Sequence, residues 1–335
     1  MVKVSGNYLI ARTLKEEGVD TLFYLMGGPN FDTIMECQDV GIRTVDFRHE
    51  QAAAMAAHAY SRVTGKPSVV MAASGPGTLN LITGVYTASI DCAPMIILGG
   101  ASAVHEIGRD TFQEVDQVGI MQPLCKYWHR PTMASRFPEV VSTAYRQAQS
   151  GRPGPVYIDC GGDVLYEEVE EDSIPTPSRA LERTRPVATS GDIERAMGLI
   201  ANAERPLLFA GGGAFFSGAA PELEKFVDVT SIPFYTAPMS RGLVPEDHAV
   251  SFQGARSTAM RESDVVLVVG TRMNWMMNYG QRFAPNAKII QIDINEAELG
   301  HNRDIEMGIF GDAKAVMAQL LELAQQRSPD FSGAL

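Results

Sequence analysis

Residues 68–98 read SVVMAASGPGTLNLITGVYTASIDCAPMIIL. Ser68–Ala73 is an almost continuous apolar run without alternation, the pattern of a strand buried on both faces. Gly75-Pro76-Gly77 ends it with a rigid turn. From Leu79 to Ile90 the apolar residues recur at helical spacing, and Pro94–Leu98 is again an uninterrupted apolar strand. Strand, helix and strand, with both strands apolar throughout, predict a parallel unit covered by helices on both sides.

The same alternation extends in both directions. Tyr8–Gly18 predicts a helix with Tyr8, Leu9, Leu14 and Val19 as its apolar stripe and Gly18 as its stop. Thr21–Tyr24 predicts a strand that breaks at Gly27-Gly28-Pro29, followed by a helix over Phe31–Gln38 and a strand over Arg43–Phe47. The Ala-rich Gln51–Thr64 predicts a helix that stops at Gly65-Lys66-Pro67, and Phe137–Gln149 and Pro155–Asp159 close the domain as helix and strand. This first domain spans 1–165. Glu167–Pro186 carries Glu167, Glu168, Glu170, Glu171 and Asp172, then Pro175, Pro177 and Pro186, with few apolar residues, so 166–188 reads as a linker. A second α/β domain spans 189–327. Its helices are expected over Asp192–Asn202 (capped at Ser190 or Asp192), Ala219–Val229 and Asp312–Gln325. Its strands are expected over Pro206–Ala210, ending in Gly211-Gly212-Gly213, and over Pro233–Thr236, Val265–Gly270 and Lys288–Asp293. Residues 328–335 form a polar tail expected to fray. The fold class is therefore α/β, with two doubly wound parallel-sheet domains.

A length of 335 residues suits two domains, and 45% hydrophobic with 20% charged residues is a globular composition. Runs such as Met95–Gly100 are far shorter than the ~20 residues of a membrane span, and the start lacks a basic segment followed by an apolar core. No membrane and no secretory leader are expected. Cys37, Cys92, Cys125 and Cys160 are widely spaced without a metal-type cluster, which points to free thiols and a cytoplasmic location. Forty acidic against 28 basic residues give a net charge of −12, and no Lys/Arg stripe offsets it. Nucleic acid is thus not an expected partner. An anionic small molecule in a locally basic pocket remains compatible with that charge.

Three segments of the first domain carry chemistry. Arg48-His49-Glu50-Gln51-Ala52-Ala53 sets a carboxylate between a strand and a helix, at the sheet edge where ligands bind in this architecture. A glutamate in a first helical turn also complements the helix dipole. Ala73–Asn80 places two glycines around a proline, so a ligand could approach the backbone closely. It lacks the lysine and spacing of a phosphate-binding P-loop, and a tight strand-to-helix turn also accounts for it. Phe112-Gln113-Glu114-Val115-Asp116 has little periodicity and reads as a loop with a solvated charge pair.

Together, Arg48-His49-Glu50, Gly75-Pro76-Gly77 and Phe112-Gln113-Glu114, with Ser150-Gly151-Arg152-Pro153-Gly154-Pro155-Val156 downstream, resemble the pyrimidine-binding domain of thiamine-diphosphate enzymes of the acetolactate synthase and 2-hydroxyacyl-CoA lyase superfamily. The resemblance implies that Glu50 contacts N1′ of the cofactor's aminopyrimidine and thereby promotes loss of the thiazolium C2 proton. It implies that Gln113 lies near the reaction centre, with Phe112 beside the pocket. Gly27, Gly28, Gly75, Pro76, Gly77 and Asn80 would line the cofactor, and His49 is a further candidate beside Glu50.

The second domain is similar to the central domain of the same superfamily, nearest its 2-hydroxyacyl-CoA lyase and oxalyl-CoA decarboxylase branch. Pro233-Phe234, Ala237–Pro245, Arg272-Met273-Asn274-Trp275 and Ile290–Ile294 carry the likeness. It implies a site for ADP or CoA formed by Arg152, Gly212, Arg241, Asn274 and Asp293. Gly212 stands where that branch can carry a lysine, and Arg241 where it often does. FAD, which related synthases hold against this domain, is the less expected ligand. Phe112-Gln113-Glu114 differs from the Tyr-Glu pair of oxalyl-CoA decarboxylases and speaks against oxalyl-CoA.

The family also uses a third domain, in which Gly-Asp-Gly and a downstream Asn pair bind Mg²⁺ and the diphosphate. Gly311-Asp312-Ala313 is the nearest match in the chain, so no metal ligand is expected here. The resemblance therefore implies the large subunit of a split lyase or carboligase. A smaller subunit would bring the diphosphate and Mg²⁺ site, in a heterotetramer acting on a small molecule. Alternatives are an acetolactate-synthase-like carboligase or 2-oxo acid decarboxylase subunit, a non-catalytic nucleotide-binding subunit, or a shortened form of a longer enzyme.

Overall fold

A computed structural model describes residues 2–175 and 184–327. The expected tail, 328–335, and the middle of the expected linker, 176–183 with Pro177, lie outside the described residues. The chain divides into two compact units, Met1–Arg183 and Thr184–Leu335.

The first unit contains strands β1 (Lys3–Ser5), β2 (Thr21–Tyr24), β3 (Arg43–Asp46), β4 (Ser68–Ala72), β5 (Met95–Ala101), β6 (Tyr127–His129), β7 (Pro155–Gly161) and β8 (Glu168–Glu170). Six of them form one sheet, in the order β3-β2-β4-β5-β7-β6, and every pairing is parallel. β4, β5 and β7 are buried at every residue, as their unbroken apolar runs require. Leu9, Ile10, Leu14, Ile34, Val140 and Val141, from the helices Gly6–Glu16, Phe31–Asp39 and Phe137–Gln149, pack one face. Helices Glu50–Thr64 and Ile82–Asp91 pack together as the other layer, so tightly that a Cβ on Gly84 would lie 2.4 Å from that of Ala54. The chain runs from β2 to β3 on one side and returns to β4 on the other. The switch point, and the crevice beyond it, is thus at the carboxyl ends of β2 and β4, where the loops at Gly27 and Gly75 begin.

Several elements differ from expectation. The helix expected over Leu79–Ile90 is two pieces, Pro76–Asn80 and Ile82–Asp91, the first opened by proline at a position that needs no N–H. The first helix ends at Glu16, so Val19 is buried beyond it rather than on its stripe. β1 and β8 form a separate antiparallel pair. They are too short and too charged to give a periodic signal. β8 lies within the stretch read as a linker, 166–188. Glu171 accepts hydrogen bonds from Arg12 (3.0 Å) and from the Tyr8 hydroxyl (3.2 Å), so part of the acidic run is paired. At the other end Arg185 binds Asp312 at 2.7 Å, and the Ala188 amide donates to Gln319.

The second unit has β9 (Pro206–Ala210), β10 (Phe234–Thr236), β11 (Val265–Val269), β12 (Lys288–Asp293) and β13 (Met307–Phe310) in the parallel order β10-β9-β11-β12-β13. Helices Ser190–Ala201, Ala220–Thr230 and Ala313–Gln326 cover one face. Phe209, Tyr235, Val266, Met273, Met277 and Phe283 form a second core on the other. Thr189, rather than Ser190 or Asp192, caps the first of these helices by accepting from the Asp192 amide. Both units thus have doubly wound parallel sheets. No helix among the described residues is long and apolar enough to cross a membrane.

Candidate active site

β3 ends at Asp46 and the chain turns into the helix Glu50–Thr64, whose first residue is Glu50. His49 is extended (φ −157°), and its Nδ1 accepts from the Gln51 amide at 3.1 Å. His49 therefore caps the helix with an exposed ring, while Glu50 is only 9% exposed. The Asn80 side-chain amide donates to Glu50 Oε2 at 3.0 Å. Glu50 Oε1 faces the Gly77 backbone: a Cβ built on Gly77 would lie 3.5 Å from this oxygen and 3.1 Å from the Ala73 Cβ. The carboxylate thus has one oxygen fixed by Asn80 and the other held over a stretch of backbone without a side chain.

The glycine turn is packed on the loop that follows β5. Gly75 has φ +57° and ψ −114°, a region open to glycine. A Cβ there would stand 2.4 Å from the Gln113 carbonyl oxygen. Gln113 itself has φ +58°, and its Oε1 accepts from the Ser74 hydroxyl at 2.8 Å. Gly27 reaches the same turn, since a Cβ on it would come within 2.6 Å of the Ala73 Cβ. Glu50, Gly75, Gly77, Asn80, Gln113 and Gly27 are therefore gathered at one sheet edge. Gly28 has open space around it, Pro76 is exposed, and Phe112 is 81% exposed, so these three are not drawn in.

The charge pair expected to be solvated is instead engaged with backbone. Glu114 accepts from the amides of Gly108 and Thr111, which holds its carboxyl below the usual glutamate range. Asp116 caps the short helix Gln117–Met121 by accepting from Gly119 at 3.0 Å. Sequence reasoning missed Gln117, Tyr157, Asp159 and Arg130, which carry no motif. Asp159 on β7 is fully buried and receives Gln117 Nε2 (2.8 Å), the Tyr157 hydroxyl and Arg130 Nε. Burial and the Asp159 charge push the Tyr157 hydroxyl well above its ordinary pKa. Ser102, Ile107, Gln113, Gln117 and Arg130 line a cleft of about 140 Å³ beside this network.

In the second unit Gly212, Arg241, Asn274 and Asp293 follow or end β9, β10, β11 and β12, so the parallel register puts them along one sheet edge. Gly211 and Gly213 lie against Gly270, where any Cβ would collide with backbone, at the switch point between β9 and β11. Asn274 accepts from the Met276 amide (3.1 Å) and Asp293 from the Asn295 amide (2.8 Å). Burial and the nearby guanidinium groups of Arg282 and Arg241 lower the pKa of Arg256. Trp275, beside Asn274, is 71% exposed. Arg152 belongs to the first unit, at the amino end of β7, and its Nε lies 3.1 Å from Cys92 Sγ. Among the described residues no His, Cys, Asp or Glu cluster is placed to hold a metal ion. Asp312 of Gly311-Asp312-Ala313 instead caps the last helix and pairs with Arg185.

Residues 4–120 match the family described as thiamine pyrophosphate enzyme, N-terminal TPP binding domain, and residues 193–320 match thiamine pyrophosphate enzyme, central domain. A 2-hydroxyacyl-CoA lyase of Arabidopsis thaliana is 37% identical over 324 residues, covering 95% of this chain and 56% of the relative. A probable acetolactate synthase large subunit of Methanococcus aeolicus is 38% identical over 333 residues, 95% of this chain and 55% of the relative. The oxalyl-CoA decarboxylase of Escherichia coli K12 is 34% identical over 326 residues, 96% of this chain and 58% of the relative. The chain thus spans little more than half the length of these relatives.

Proposed function

Because the chain belongs to the thiamine pyrophosphate enzymes through its N-terminal and central domains, we propose that it is the large subunit of a thiamine-diphosphate-dependent lyase or carboligase with 2-hydroxyacyl-CoA lyase-like chemistry. The observation that carries the reading is the buried Glu50, oriented by Asn80 through Oε2 and facing bare backbone at Gly77 through Oε1. These residues fit an aminopyrimidine: a carboxylate to meet N1′, and glycine where a ring would lie against the turn. Thiamine diphosphate, when bound, supplies the carbon nucleophile that cleaves or forms a bond beside a carbonyl. Glu50 holds the proton at N1′. Asn80 fixes the carboxylate's orientation. Gln113, with its Oε1 taken by Ser74, keeps Nε2 for a substrate oxygen.

The diphosphate and Mg²⁺ are held, in this reading, by residues outside these 335, on a smaller partner subunit within a heterotetramer in the cytoplasm. The greater length of the relatives supports a source of such residues beyond the two matched domains. Gly212, Arg241, Asn274 and Asp293 form the edge proposed for the ADP part of CoA, with FAD as the less favoured ligand. Arg152, in the first unit, is proposed for the nucleotide phosphates on the family resemblance alone. The similar identity of the acetolactate synthase large subunit supports a second reading, carboligation of 2-oxo acids.

The test is native mass spectrometry of the complex captured from source cells through a tag on this chain, followed by assays of the separated and remixed chains. A smaller second chain, with activity only in the mixture, is the expected result. Copies of this chain alone, or full activity of this chain with thiamine diphosphate and Mg²⁺, overturn the split arrangement. Cleavage of a 2-hydroxyacyl-CoA without condensation of 2-oxo acids separates the first reading from the second.

A further inference from the structure

Gln117 lies outside every motif that points to the cofactor, yet it is only 2% exposed and its side chain joins the Gly75 turn to β5 and β7. We propose that Gln117 is a positioning residue: it sets the Gly75 turn and, through that turn, the Asn80–Glu50 pair. The proposal rests on the reading of Glu50 as the residue that meets the cofactor.

A glutamine amide offers one accepting oxygen and two N–H donors. Gln117 Nε2 lies 2.8 Å from Asp159 Oδ1, 2.9 Å from the Gly100 carbonyl and 3.0 Å from the Tyr157 hydroxyl. The Tyr157 hydroxyl itself donates to Asp159, so the two Gln117 N–H groups go to the carboxylate and the carbonyl. These two acceptors decide which way the amide faces. Its oxygen must point at the remaining neighbour, the Gly75 N–H, and it accepts from it. Asp159 stands on the fully buried strand β7, so Gln117 ties the turn directly to the sheet.

The turn is closed internally by the Thr78 amide on the Ala73 carbonyl (2.8 Å) and the Leu79 amide on the Gly75 carbonyl (3.0 Å), while the Gly75 N–H goes outward to Gln117 and so anchors the turn to the sheet. Pro76 has no N–H and Gly75 adopts φ +57°, ψ −114°, so the Gly75 amide is the donor through which this end of the turn can be tied to its surroundings. Pro76–Asn80 is a single helical piece, which carries any tilt at Gly75 to Asn80, about 7.5 Å further along. Asn80 then moves relative to Glu50 Oε2. Four residues before Gln117, Gln113 packs its backbone against Gly75, so the turn that Gln117 holds is also the surface on which Gln113 rests. A buried glutamine that only satisfied the core would have no need to reach across to this turn.

The experiment is residue-resolved amide hydrogen exchange on the chain without cofactor, joined to turnover of the complete enzyme. In Gln117→Met, exchange at Gly75 and at Thr78–Asn80 should rise about tenfold, the scale of one lost hydrogen bond, while Val70 and Ile97 in the adjoining strands stay protected. Gln117→Glu should loosen the turn in the same way, because two carboxylates then face one another. Gln117→Glu with Asp159→Asn should restore it, since the asparagine amide donates to the new carboxylate. This pair decides the matter if Gln117→Met does not fold. In the complete enzyme kcat should follow the same order, with KM for substrate little changed. Unchanged exchange at Gly75 overturns the proposal. So does an equal rise throughout the sheet, or failure of the double variant to protect the turn. A wild-type complex without thiamine-diphosphate-dependent turnover would refute the functional reading, while the exchange data would still decide the role of Gln117.

Discussion

Replacing Gly75 by alanine should be far more damaging than replacing Gly77, two residues along the same turn. At Gly75 the backbone angles of φ +57° and ψ −114° cost a residue with a Cβ roughly 1–3 kcal/mol. The new Cβ would also stand 2.4 Å from the Gln113 carbonyl oxygen and 3.0 Å from the Gln113 Cβ. That oxygen belongs to backbone and cannot swing away, so the Gln113 loop must shift, an overpacking that adds about 1–3 kcal/mol. Alanine recovers about 0.4–1 kcal/mol by narrowing the unfolded ensemble. The net expectation is a loss of about 3 kcal/mol for Gly75→Ala. At Gly77 the closest contact of a new Cβ is Ala73 Cβ at 3.1 Å, relieved by a few tenths of an ångström. Gly77 also lies within the helical piece Pro76–Asn80, so Gly77→Ala should cost less than about 1 kcal/mol. Urea unfolding followed by Trp128 fluorescence, with Trp275→Phe removing the signal of the second unit, measures both. Thiamine diphosphate binding to the complete enzyme should show the opposite emphasis at Gly77, whose alanine methyl would occupy the face beside Glu50 Oε1. Equal stability of the two variants would refute the packing of Gln113 on Gly75 and the geometry built on it.

Asn80→Ala removes the donor to Glu50 from an exposed position, so turnover of the complete enzyme should fall about tenfold while the chain's melting temperature scarcely moves. At Asp312, burial raises the carboxyl pKa but hydrogen bonds from Ser217 and Arg185 outweigh it, leaving the folded value below the ordinary one. Asp312→Ala should cost about 2 kcal/mol at neutral pH, through loss of the cap and the Arg185 pair. Because the folded pKa is depressed, that contribution is present above the unfolded value of about 4 and is lost as pH falls through the folded one, so urea unfolding of wild type and variant should converge on acidification. Burial pushes the Cys37 thiol up to about 12 and Cys160 higher still, and both side chains are buried, so a thiol reagent at neutral pH should modify neither until urea unfolds the chain.

The legible part of the fold was the part with long unbroken apolar runs. β4, β5, β7, β9, β11 and β12 are buried along almost their whole length, and that burial is what keeps them mostly apolar, Asp159 and Gln291 being buried exceptions. β1, β8 and β6 are three residues each, and β13 has four alternately buried residues, too few for a period to show. The acidic stretch after Glu167 looked like solvent-exposed chain because its partners, Arg12 and Tyr8, are more than 150 positions away. At the candidate site, the glutamate and the glycine turn stood out through their resemblance to the family's motifs, since each alone also reads as a helix-dipole residue and a tight turn. Their joining by Asn80 follows from one helical turn after Gly77. Gln117, Asp159 and Arg130 were not legible. A buried polar network is a property of three loops and strands meeting, and each residue alone looks like an ordinary surface side chain.

The central claim is that Glu50 activates the cofactor, and it can be tested without knowing the substrate. The measurement is the rate of hydrogen–deuterium exchange at C2 of thiamine diphosphate bound to the assembled enzyme, compared between wild type and Glu50→Gln. The account predicts exchange slower by about a hundredfold or more in the variant, with the assembly intact. Equal rates in the two proteins would contradict it and remove Glu50 from the chemistry.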